Sequence, residues 1–160
     1  MNTMDSETHT TAKQDSEGPA MIEKLMLVTI VVKNQDKALD FYTKTLGLEK
    51  RADFAPPGNP RWVTVAPKGQ DIEIALWEAG SKSTGVPPSH QQPGIGTQWN
   101  FKVVDCRKTY AELKARGVRF KSQPVEYPYA IGAEFTDPDG NHLSIVQPLA
   151  MSPSAWKKGD

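Results

Sequence analysis

Residues 25–32 are almost entirely apolar and largely aliphatic, a pattern that predicts a strand packed on a helix. Asn34 follows as a helix cap, with Asp36 placed to favour the helix N-terminal dipole. Ala38, Leu39, Phe41, Tyr42 and Leu46 recur at helical spacing, and Gly47 predicts the stop. Strand patterns return at 49–54, 61–66 and 71–77, separated by the turn clusters 56–60 and Pro67-Lys68-Gly69. The order then repeats. A strand at 97–104, a cap at Asp105, and a helix at 107–116 carrying Tyr110 and Leu113 lead to Gly117. Strand signals near 118–121, 130–136 and 142–147 follow, the last two joined by Asp137-Pro138-Asp139-Gly140. The caps Asn34 and Asp105 are 71 positions apart, and Gly47 and Gly117 are 70 apart. The chain therefore reads as two copies of a strand–helix–several-strands module.

Strand alternation assigns faces. Val28, Ile30, Val32, Ile72, Ile74 and Leu76 belong to the helix-packed core, as do Trp99, Phe101 and Val103. Leu27, Thr29, Val31, Asp71, Glu73, Ala75 and Trp77 share the opposite face of the first module. Gln98, Asn100, Lys102, His142, Ser144 and Val146 share that of the second.

Composition narrows the class. At 160 residues the chain holds one domain, since about 60 residues per module are marginal alone. The expected organisation is a polar tail at 1–20, a first module at 21–78, a Gly/Pro/Ser-rich connection at 79–96, a second module at 97–148 and a tail at 149–160. The connection has the length of a lid or a linker. Nineteen basic and nineteen acidic residues leave no electrostatic footprint for nucleic acid or for an anionic membrane. No apolar run has the length of a membrane span, and the N-terminal residues have no secretory pattern. A single cysteine, Cys106, rules out an intrachain disulfide framework. The resulting expectation is a cytoplasmic protein.

The segments VVKNQDKALDFYTKTLGLE, RWVTVAPKG and FTDPDGNHLSIVQP carry a resemblance. Over residues 22–148 the chain resembles the vicinal oxygen chelate superfamily, which includes glyoxalase I, bleomycin-resistance proteins, extradiol dioxygenases and fosfomycin-resistance enzymes. Its hallmarks here are Phe41, Tyr42, Leu46 and Gly47, and the turn from Asp137 to Asn141. The resemblance implies an α+β fold. Two βαβββ modules form a cupped mixed sheet with helices outside, commonly in a homodimer. It does not select an activity.

Metal-dependent relatives place ligands on the first and last strands of each module. The matching positions here are Leu27, Glu73, Gln98 and Ser144. Leu27 has no donor atom, Gln98 offers a neutral amide, and Ser144 is a poor ligand at neutral pH. Glu73 alone is a good ligand, whereas catalytic zinc sites use three His, Glu, Asp or Cys. The expectation is a cup with no metal and no cofactor. The turn Asp137-Pro138-Asp139-Gly140 lacks the later ligands of a calcium loop.

The candidate ligand-binding residues are Glu73, Trp77, Gln98, Asn100, His142 and Ser144, with Arg61 and Trp62 able to stack a planar group or pair with an anion. Glu73 is the candidate general base. It also reads as a half-exposed acid on a solvated sheet face, or as one paired with Lys102 or Arg61. His142 could shuttle a proton or bond locally. Tyr127 and Tyr129 could rim the mouth from a loop, or contact a second copy. Cys106 sits at a helix start with no histidine nearby in sequence and reads as inert. The leading function is metal-independent binding of a small organic molecule, like the bleomycin-resistance branch. The alternatives are an enzyme of glyoxalase, lyase or dioxygenase type using a non-standard metal site or Glu73 acid–base chemistry, and a non-catalytic interaction module.

Overall fold

The computed structural model describes residue 21 and residues 24–82, 88–128 and 130–149. The tails 1–20 and 150–160, and with them Trp156, lie outside these residues, as does Tyr129. The first module comprises β1 (Leu27–Val32), α1 (Gln35–Asp40), β2 (Glu49–Phe54), β3 (Trp62–Ala66) and β4 (Glu73–Glu78). The second comprises β5 (Gln98–Lys102), α2 (Cys106–Ala115), β6 (Arg119–Phe120), β7 (Val125–Tyr127), β8 (Ala130–Thr136) and β9 (His142–Pro148). The first sheet has the order β1-β4-β3-β2 and the second β5-β9-β8-β6, with β7 also paired to β8. In each sheet the first strand runs parallel to the last, as a crossover through a helix requires.

The expected helix caps form. Asn34 and Asp105 accept hydrogen bonds from the backbone N–H of Lys37 and Lys108, each at 2.9 Å. The expected faces form too. Ile30, Val32, Val63, Val65, Ile74 and Leu76 pack with Ala38 and Tyr42 in one core. The same core continues through Leu113, Phe135, Leu143 and Ile145 of the second module.

Two local expectations are corrected. The first helix does not run unbroken to Leu46. After Asp40 it widens into a π-helical turn, Phe41–Thr45, in which the Leu46 N–H reaches the Phe41 carbonyl at 3.0 Å. Tyr127 lies in a strand, not a loop. β6 is only two residues long, so it covers one end of β8, and Val125–Tyr127 pairs with the remainder of that edge.

The modules are clasped together at the turn before β9. The Tyr42 hydroxyl donates to Asp137 Oδ2 at 2.8 Å, and the Asn141 amide donates both to that oxygen at 2.7 Å and to the Val31 carbonyl at 2.9 Å. Asp137 Oδ1 accepts from the backbone N–H of Asp139 and of Asn141, each at 2.9 Å. Asp139 in turn accepts from the Lys33 N–H at 3.0 Å. Both Asp137 oxygens are thus taken by protein donors, which stabilises a carboxylate that is only 1% exposed. The connection docks on the same turn, because the Gly94 N–H donates to Asn141 Oδ1 at 2.7 Å.

Candidate functional site

On the face of the second sheet opposite α2, alternation brings Gln98 and Asn100 of β5 beside His142 and Ser144 of β9. The parallel register sets Gln98 across from His142 and Asn100 across from Ser144. These four line a pocket of about 250 Å³ with Thr97, Lys121, Glu134 and Leu143. Its wall is polar and internally organised. Ser144 donates its hydroxyl hydrogen to Asn100 Oδ1, and Lys121 pairs with Glu134 at 3.1 Å. The floor is fixed by Thr97, whose Oγ1 accepts the His142 N–H at 3.1 Å. The His142 and Gln98 side chains remain exposed. Two amides, a hydroxyl, an imidazole and an ion pair in one concavity can orient a small organic molecule through a few directed hydrogen bonds.

The first-module residues do not line this pocket. Glu73 lies across β1–β4 from Leu27, half-buried, with no ion pair among the described residues. The pairing with Arg61 that the sequence left open does not form. Arg61 instead bonds Asp53 at 2.8 Å and Asp36 at 2.7 Å. Its guanidinium, first by hydrogen bonding and then by charge, holds the Asp53 carboxyl below its ordinary range. Trp62 shares the face of Thr64 and Trp77 by strand parity and is half-buried.

That face is more enclosed than a solvated wall. Val31, Thr64, Ala75 and Trp77 are all buried on it. Thr64 is 0% and Trp77 8% exposed, yet Thr64 Oγ1 and Trp77 Nε1 have no hydrogen-bond partner. Such orphans are uncommon in folded proteins. Thr64 was missed by the sequence reading. Its strand parity with Trp62, a candidate ligand-binding residue, was the available signal. In the β5–β9 register His142 stands directly across from Gln98, as Glu73 stands across from Leu27 in the first module.

Leu27 has no donor atom, and among the described residues no group of three or more His, Cys, Asp or Glu could hold an ion. Cys106 is buried, and burial pushes its thiol up, away from the thiolate a nucleophile needs. None of the described helices is long and apolar enough to cross a membrane.

A family model described as the Glyoxalase/Bleomycin resistance protein/Dioxygenase superfamily matches residues 24–145. The chain is 36% identical over 126 residues to the uncharacterized protein YurT of Bacillus subtilis (strain 168), covering 78% of this chain and 98% of that protein. Among solved structures, TnmS3 from Streptomyces sp. CB03234, described as an antibiotic binding protein, is 33% identical with a TM-score of 0.69, covering 81% of this chain and 98% of that one. A superfamily member from Sphaerobacter thermophilus DSM 20745 is 36% identical with a TM-score of 0.68, covering 79% and 98%.

Proposed function

The chain belongs to the glyoxalase/bleomycin resistance protein/dioxygenase superfamily, and from that premise we propose that it binds a small, antibiotic-like organic molecule without a metal. The observation that carries this reading is the pocket shared by Gln98, Asn100, His142 and Ser144. Those side chains supply directed hydrogen bonds but too few anionic or imidazole donors for a catalytic metal. Likeness to an antibiotic binding protein points the same way. A homodimer in the cytoplasm completes the proposal. Exposed apolar side chains at Leu25, Met26, Phe54 and Val104 give a second copy surface to cover.

The test is tryptophan-fluorescence titration with a panel of aromatic and cationic antibiotics, with recovery of the ligand afterwards. Saturable binding and unchanged ligand are expected, weakened at least tenfold, about 1.4 kcal/mol, in Asn100→Ala/His142→Ala. No response from any panel member overturns the reading. Light scattering reports the dimer separately.

A second reading rests on the carboxylate of Glu73, which has no ion pair among the described residues. A free carboxylate on this face could act as a general base. Turnover of the ligand that disappears in Glu73→Gln, with the fold intact, would favour it.

A further inference from the structure

The two modules are related by duplication, yet their mutual contacts are not alike. On one side the clasp of Tyr42, Asp137 and Asn141 fills the space between α1 and the β8–β9 turn. On the other side, the position 71 residues after Tyr42 is Leu113, and the β3–β4 turn presents Pro67, Lys68 and Gln70 in place of the aspartate and asparagine. No phenol and no carboxylate meet there. A cleft of about 410 Å³ remains, lined by Leu46, Leu48, Phe101, Leu113, Phe135 and Ile145.

The cleft opens to solvent at Lys68 and Lys102, so an occupant would displace water from its apolar wall. Its volume lies in the range of small-molecule sites. Charge selects the occupant. Lys68 and Lys102 line the cleft, neither has an ion pair among the described residues, and no acidic side chain lines it. Polar anchoring is also available from backbone. β5 is an edge strand whose Val103 N–H turns inward to Val146 at 2.9 Å, so the N–H groups of Asn100 and Lys102 point to the free edge.

We propose that this inter-module cleft is a second ligand site, sharing only Asn100 with the pocket of Gln98, His142 and Ser144, and that it takes a small amphiphile with one carboxylate. The apolar tail lies against Leu113 and Phe135, and the carboxylate faces the two lysines.

Octanoate is the probe, with octanol and octylamine as neutral and cationic controls of equal chain length, followed by isothermal titration calorimetry on the full chain. Octanoate should bind one per chain and outcompete both controls. Lys68→Glu/Lys102→Glu, at exposed positions, should weaken it at least tenfold. Gln98→Trp, which obstructs the other pocket, should leave it within about twofold, a shift below 0.5 kcal/mol. Loss of octanoate in Gln98→Trp would place it in the other pocket and overturn the proposal. So would equal binding of the three probes, or no binding at all. A double variant that changes the oligomer mass while keeping octanoate affinity would assign the cleft to a second copy, and also overturns it.

Discussion

Tyr42 shows how one side chain can tie a duplicated chain together. Its ring fills the core of the first module while its hydroxyl satisfies a buried carboxylate of the second. Tyr42→Phe keeps the ring but leaves Asp137 Oδ2 with the Asn141 amide alone, so stability should fall by about 1–3 kcal/mol at neutral pH. Burial, and next the charge of Asp137, holds the phenol well above its ordinary 10.0. A raised acid favours its protonated form in the folded state. The stabilisation is therefore fully present below about pH 10 and is lost as pH rises through the folded value, because the unfolded chain loses its proton first. Urea midpoints from pH 7 to 11 should fall more steeply for the wild type than for Tyr42→Phe above pH 10. Parallel curves would remove Tyr42 from the alkaline transition. The FY pair was legible as a hallmark in the sequence, but its partner was not. Asp137 lies 95 positions away, and no local pattern announces a contact at that separation.

Among the elements, local signals were read best where one physical cause dominates. The caps and the core faces of β1, β4 and β5 follow from side-chain hydrogen bonding and strand parity, and both were recovered. The π-helical turn and β7 were not, since each answers to a neighbour. Strand phase was also hidden. Alternation fixes which residues share a face but not which residue of β9 stands opposite Gln98, and the register shows it to be His142. The connection between modules offers a test at this scale. Gly47 and Gly94 both have positive φ, +78 and +85. A Cβ at Gly47 meets nothing, so Gly47→Ala should cost about 1–2 kcal/mol from backbone strain alone. A Cβ at Gly94 lies 3.1 Å from the Gly140 carbonyl oxygen, beside the turn its own N–H bonds. Gly94→Ala should therefore destabilise more than Gly47→Ala in denaturant melts. The reverse order would show that the connection does not hold the β8–β9 turn.

For the whole molecule, duplication supplied the scaffold and divergence between the copies supplied its chemistry. The sequence carried the scaffold, because two caps and two glycines at nearly equal spacing survive as pattern. It also carried the grouping of Gln98, Asn100, His142 and Ser144, which share a face by parity and meet in one pocket. It did not carry the enclosure of the first sheet, where Thr64, Ala75 and Trp77 are buried rather than solvated, since burial depends on what packs above a face. The copies also differ at the positions where metal-dependent relatives place ligands. Leu27 stands beside Glu73 where a symmetric site would need a second donor, and the second sheet offers two amides, a hydroxyl and one imidazole at the facing positions. A donor set this poor in anions holds a borderline transition metal weakly at best. If the molecule binds its ligand through hydrogen bonds and apolar contact, exhaustive dialysis against a chelator should leave the dissociation constant unchanged within about twofold, below 0.5 kcal/mol. Readdition of zinc, manganese or iron should not improve it. A tenfold loss on dialysis, restored by one of these metals, would mean that donors beyond these positions assemble a centre. The protein would then have to be read as a metalloprotein despite Leu27.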